Sequence, residues 1–186
     1  MRKINAILGP AMILLLLIHV ITGVFQLTSV IPGGSMIRKV LAIILTVLVG
    51  IHMVIGILLT VQTLTACRKT GVSYFKNNEL FWLRRISGFA MLFLIIAHIL
   101  IFSGESGEAF RLHSFGSLPL ILSLLLVLAL AIHLITNIRP LFIALGIENR
   151  VFLKDIMVIL SILLLVSAAA FLFYYLRWNV LWSYSR

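Results

Sequence analysis

Residues 83–102 read LRRISGFAMLFLIIAHILIF. Two arginines, Arg84 and Arg85, open a stretch that stays apolar to Phe102 except for Ser87 and one ionisable residue, His98. An α-helix needs about 20 mostly apolar residues to cross the roughly 30 Å hydrocarbon core of a bilayer. The stretch therefore reads as a transmembrane helix. Its histidine is a candidate functional residue, because a chargeable side chain at membrane depth is costly to keep.

Working outward, further apolar runs lie at about 4–27, 36–66, 117–136 and 151–176, and with the quoted run at about 81–102 they make five. A turn with Pro32, Gly33 and Gly34 separates the first two, and a basic connector from Arg68 to Asn78 separates the second from the third. The composition agrees. Of 186 residues, 62% are hydrophobic and 11% charged, and mean hydropathy is +1.22, more apolar surface than a soluble domain of this length could hide. The first run follows Arg2 and Lys3 as a signal peptide would, but it carries His19 and lacks a clear small-residue cleavage site, so it reads as a retained helix. The expected fold is all-α: a single integral membrane domain, 1–186, of five transmembrane helices.

A net charge of +10 would suggest nucleic acid in a soluble protein. Here the basic residues sit at the ends of the apolar runs and report topology instead. Arg2, Lys3, Arg68, Lys69, Lys76, Arg84, Arg85, Arg139, Arg150 and Lys154 fall on one side, and Arg38, Lys39, Arg111, Arg177 and Arg186 on the other. The richer side is expected to be cytoplasmic, with the N-terminus inside and the C-terminus outside a prokaryotic cell membrane. Tyr174, Tyr175, Trp178, Trp182 and Tyr184 are expected to fit an interfacial aromatic belt. The one cysteine, Cys67, makes no intrachain disulfide and no CxxCH site for covalent haem.

The first and third runs echo each other. Gly9, Ala11, Met12, Leu15 and His19 recur in register as Gly88, Ala90, Met91, Leu94 and His98. The second and fourth runs form the other equivalent pair, and repeats of this kind commonly build a site between them. Each of the four carries one histidine: His19, His52, His98 and His133. His19 and His98 fall about 14 residues, or roughly 21 Å, beyond a cytoplasmic helix start, in the outer leaflet. His52 and His133 fall about 16 residues, or roughly 24 Å, beyond an external start, in the inner leaflet.

Two imidazoles at one depth suit the two faces of a haem iron. The spacing thus points to two haem b groups stacked across the membrane, with His19 and His98 on the outer iron and His52 and His133 on the inner. The bland alternative is four neutral imidazoles bonding across helix interfaces. Gly23 and Gly56 follow His19 and His52 by one helical turn, where a missing side chain leaves room for a flat macrocycle or for ordinary helix packing. The equivalent positions after His98 and His133 hold Phe102 and Asn137. Arg2, Arg84 and Arg85 are placed for propionates on the inner side, Arg38 and Lys39 on the outer, and all double as topology determinants. A bare zinc or copper ion would want three or four converging ligands, and the spans hold no carboxylate to join the histidines.

At this point the chain resembles the single-chain, two-haem cytochrome b subunit of succinate:quinone oxidoreductases and menaquinol:fumarate reductases. LRRISGFAMLFLIIAH is similar to that family's third-helix pattern through Arg85, Ser87, Gly88 and His98. IHMVIG is similar to its second helix, with His52 and Gly56. HLITNIRPLFIALGI from His133 is similar to its fourth, and RKINAILGPAMILLLLIH to its first, with His19. The resemblance implies pairing of helix one with three and two with four, and a fifth, peripheral helix without a ligand. It implies two non-covalent haems, cytoplasmic iron–sulfur and flavoprotein partners, and a quinone, menaquinone by type, as electron partner. No dicarboxylate chemistry would reside in this chain.

The sequence departs from some menaquinone-linked members, which have a glutamate where Ala131 stands, so a transmembrane proton route there is in doubt. Glu105, Glu108 and His113, with Arg111, lie in the loop next to the outer pair and are candidates for receiving quinol protons. An inner quinone site near Ser87 and Arg85 is a further candidate. Two other readings stay open: a two-haem cytochrome serving another soluble oxidoreductase, and a haem-free membrane anchor or assembly protein.

Overall fold

The computed structural model describes residues 2–33, 35–71, 78–103 and 115–181. They form five long helices: α1 (Arg2–Leu27), α2 (Met36–Thr70), α3 (Glu79–Phe102), α4 (Ser117–Ala144) and α5 (Arg150–Leu176), the last running into one π-helical turn, Arg177–Leu181. All five are long and apolar enough to cross a membrane. Their surface is that of a protein dissolved in lipid: Phe93 and Leu165 are 69% and 71% exposed. Side-chain hydroxyls in the spans turn back onto their own helix, as a lipid solvent demands. Thr46 donates to the carbonyl of Ala42, Thr63 to that of Leu59, Ser161 to that of Met157 and Ser167 to that of Leu163, all at 2.7–2.8 Å.

Neighbouring helices run antiparallel. On α3 and α4, Arg84 meets Thr136 while Gly88, one turn later, meets His133, one turn earlier. On α4 and α5, Phe142 packs on Phe152 at 5.5 Å, and at the other end of the bundle Phe115 packs on Tyr174 at 5.1 Å. α1 lies between α2 and α5, and Gly9 lets it approach α4: a Cβ there would come within 2.7 Å of the Leu141 side chain.

The most densely packed part of the molecule is the end where α1, α3 and α5 finish. Leu27, Phe115, Ala170, Phe171 and Tyr174 form a buried cluster with Val24, Phe102 and Trp178 around it. Its aromatic pairs each add about 0.5–1.5 kcal/mol beyond area burial. α5 supplies Leu160, Leu164, Ser167, Ala170, Phe171 and Tyr174 to the interior, more buried residues than any other helix. The expectation of a peripheral fifth helix is corrected here. The small residues Ser167 and Ala170 face the interior, and Phe171 and Tyr174 fill the space beside them. α2, in contrast, buries none of its residues and packs along α1.

Two helices run on past the sequence expectation. α2 continues through Arg68 and Lys69 to Gly71, whose φ of 66° ends it in the left-handed region that glycine enters at little cost. Its 35 residues span about 52 Å, more than the hydrocarbon core, so its basic end projects beyond the apolar layer. α4 was expected to stop near Thr136, ahead of Pro140, yet it continues to Ala144.

The reason is local. Proline has no N–H, so Pro140 leaves the Thr136 carbonyl without its helical donor. Arg84 Nε of α3 donates to that carbonyl at 2.9 Å. The helix thus passes through its proline, and α3 is tied to α4 at the same point. α4 then closes on Gly146 (φ 79°), with Ile147 N donating to Phe142 O at 2.9 Å.

Loss of this donor leaves a carbonyl unsatisfied at the edge of an apolar layer. Arg84→Ala is expected to destabilise the detergent-solubilised protein by about 1–3 kcal/mol. In a Pro140→Ala background, where the helix supplies its own N–H, the same substitution is expected to cost less. A double-mutant cycle on unfolding free energy measures the difference.

Candidate functional site: two histidine pairs

The four intramembrane histidines meet in two pairs. His19 of α1 and His98 of α3 have ring centres 6.1 Å apart, with planes at 73°. His52 of α2 and His133 of α4 have ring centres 6.3 Å apart, with planes at 86°. Each pair joins one helix of the α1–α2 hairpin to one helix of the α3–α4 pair. Both separations exceed what facing rings joined by an N–H···N bond of about 3 Å would show. The pairs lie at different levels. His133 sits beside Gly88 on α3, and His98 lies about ten residues, or about 15 Å, further along that helix.

The second pair is held from α3. Ser87, only 5% exposed, brings its Oγ to 3.2 Å from His133 Nδ1, and the same hydroxyl lies 3.2 Å from the Arg84 carbonyl. A Cβ on Gly88 would touch the His133 ring at 3.4 and 3.6 Å, so the glycine is what lets the imidazole lie against α3. Asn137, one turn after His133, donates from Nδ2 to the His133 carbonyl at 2.7 Å. That amide bonds its own helix and steadies the segment that carries the ligand candidate. Thr136 Oγ1 donates to the Ile132 carbonyl at 2.8 Å beside it.

Arg85 reaches across to α2. Its Nη1 lies 3.5 Å from where a Gly56 Cβ would be, one turn beyond His52, and its guanidinium carbon stands 5.0 Å over the Phe81 ring. A Cβ on Gly56 would only touch this cation, while a larger side chain there would crowd it. The guanidinium therefore sits at the level of the second pair, between α2 and α3.

The first pair is walled by aromatics. Phe102, one turn beyond His98, has its ring centre 4.9 Å from the imidazole, and Phe171 of α5 stands 6.5 Å away at 84°. Both rings belong to the densely packed end of the bundle. Around Gly23, one turn beyond His19, no atom lies within 4 Å of a built Cβ. Thr22, beside it, donates to the carbonyls of Ile18 and His19 at 2.7 and 3.1 Å.

Two nitrogens in these pairs lack a partner. His98 Nδ1 and His52 Nδ1 are buried and make no hydrogen bond among the described residues. An unsatisfied buried donor or acceptor costs about 1–3 kcal/mol, so each pair carries an unmet bonding capacity. Among the described residues, no three His, Cys, Asp or Glu side chains converge. Each pair thus offers two imidazoles and no third protein ligand among those residues.

The remaining candidates are dispersed. Arg38 donates from Nη2 to the Pro32 carbonyl at 2.6 Å and braces the α1–α2 turn, where Arg177 also donates to the hydroxyl of Ser29, a residue held at φ 61°. Glu105, Glu108, Arg111 and His113 lie outside the described residues. Three contributions depend on tertiary neighbours that the sequence order does not show: Ser87 as the partner of His133, Arg84 as the donor to Thr136, and Phe171 beside His98. Phe102 was legible from its one-turn spacing; the others depend on which helices become neighbours.

No family model matches the sequence, and neither a curated protein nor a solved structure matches the chain.

The contact at Gly88 sets a size limit. Gly88→Ala is expected to fold with little loss, since its Cβ makes ordinary contact with the ring. Gly88→Leu is expected to drive the His133 ring aside and destabilise the protein by about 1–3 kcal/mol. Thermal unfolding of the two variants in detergent separates these outcomes.

Proposed function

We propose that this chain is a two-haem cytochrome b that carries electrons across the membrane between a quinone and a soluble redox module. The observation that supports it best is the crossed pairing of His19 with His98 and His52 with His133, at two levels of one bundle. Two metal–imidazole bonds of about 2 Å each, with the half-width of a ring added on both sides, match the 6.1 and 6.3 Å separations. Two protein donors per centre suit haem, whose macrocycle supplies the other four, and are too few for a structural zinc. The unpartnered nitrogens of His52 and His98, the open space beside Gly23 and the loosely packed α2 all fit a group lodged between the α1–α2 and α3–α4 helices.

Haem bound at each pair would supply reversible one-electron exchange. The chain's own part is to ligate and to tune. His19 and His98 would hold one iron, His52 and His133 the other. Arg85 places a cation beside the second pair, where a haem carboxylate could meet it, and Gly56 leaves room for that cation. Phe102 and Phe171 keep water from His98.

The excess of Lys and Arg at the α2–α3 end argues that this end, with the His52–His133 centre nearer to it, faces the cytoplasm of a prokaryotic cell. There the projecting end of α2 would meet the iron–sulfur and flavoprotein subunits of a succinate dehydrogenase- or fumarate reductase-like complex. A menaquinone-type quinone would exchange electrons at the opposite side, with Glu105, Glu108 and His113 as candidate proton carriers.

The purified chain, made with adequate haem supply, is expected to give a reduced-minus-oxidised b-type spectrum and about two haems by pyridine haemochrome. His98→Ala is expected to leave one haem, bound by His52 and His133. A colourless, well-folded wild-type protein would sink the reading and favour a haem-free anchor. Loss of both haems, or of neither, in His98→Ala would refute the pairing.

A further inference from the structure

The two pairs differ in how their ligand rings are held, and this inference rests on the two-haem reading. His133 Nδ1 has a hydroxyl partner, Ser87 Oγ, at 3.2 Å, while His52 Nδ1 and His98 Nδ1 are buried with none among the described residues. Ser87 has one proton. Its Oγ stands 3.2 Å from the Arg84 carbonyl, an acceptor one turn back on its own helix. Donated there, that proton leaves the oxygen's lone pairs for the imidazole.

We propose that Ser87 is a positioning residue that accepts a hydrogen bond from His133 Nδ1–H, so that His133 ligates through Nε2 and the haem at the His52–His133 pair has the lower reduction potential for it. The relay runs from His133 Nδ1–H to Ser87 Oγ, and from Ser87 O–H to the Arg84 carbonyl. It fixes the ring's tautomer and orientation, as outer partners of metal-bound histidines generally do. Accepting the Nδ1 proton's hydrogen bond makes the ring a stronger donor at Nε2, which favours the ferric over the ferrous iron. Gly88 holds the ring within reach of the hydroxyl. Arg84 adds a second tie, because its side chain bonds the Thr136 carbonyl of the helix that carries His133. The His19–His98 pair has no hydroxyl partner at His98 Nδ1.

The test is a reductive titration of the detergent-solubilised protein with dithionite and mediators, one electron per iron, followed in the visible spectrum. His98→Ala identifies which wave belongs to the His52–His133 centre. Losing an outer-shell partner of a metal-bound histidine typically changes affinity 10- to 100-fold. Ser87→Ala is therefore expected to shift that centre about tenfold toward its reduced form, about 59 mV upward for one electron, and to leave the other centre unmoved. Ser87→Thr, which keeps the hydroxyl, is expected to stay near wild type.

Two retained haems with both potentials unmoved in Ser87→Ala would overturn the inference while leaving the two-haem reading intact. A wild-type chain without haem would overturn both. If Ser87→Ala fails to hold the second haem, Ser87→Cys carries the same test with a weak acceptor of similar size: an upward shift of that centre supports the inference, and an unmoved one overturns it.

Discussion

In lipid, a backbone carbonyl that loses its helical donor has no water to turn to. Pro140 creates one such carbonyl in this chain, and Arg84 answers it. Much of the bundle's second half follows from that bond. It lets α4 run on to Ala144 and fixes α3 against α4 in one register. In that register Ser87 and Gly88, within about one turn of Arg84, face His133. A cation that reads in the sequence as a topology marker is thus also a piece of helix repair, and the histidine's surroundings come with it.

The bundle is unevenly packed along its length. One end is closed by interlocked rings from α3, α5 and the approach to α4, with Tyr174 wholly buried. The first histidine pair sits next to this rigid plug. The second pair lies nearer the other end, steadied by hydrogen bonds and by Arg85 rather than by aromatic packing. Stiffness at one centre therefore comes from shape, and at the other from directed polar contacts. The two environments differ in their electrostatics even though each is built around two histidines.

Hydropathy and length were enough to find five spans, because a run of apolar residues without charges has few other uses at this length. The one-turn spacings from His98 to Phe102 and from His133 to Asn137 could also be read, since they are properties of a single helix. What the chain order hid was everything that depends on neighbours. A proline after Thr136 reads as a stop until Arg84 is known to lie opposite. The resemblance implies a peripheral α5 without a ligand, yet its buried small residues Ser167 and Ala170 mark a close-packing face. The sequence echo between α1 and α3 also has limits. Gly9 faces Leu141 and Gly88 faces His133, so the two glycines meet α4 at different residues and do different jobs.

Each histidine pair draws one partner from α1–α2 and one from α3–α4. During synthesis the chain emerges in order, so neither site exists while only the first hairpin is in the membrane. The His19–His98 site becomes complete when α3 enters, and the His52–His133 site must wait for α4. α5 then follows with the side chains that lock the far end. The topology therefore imposes a timetable on biogenesis: each histidine pair is completed late, around a first hairpin already in the membrane.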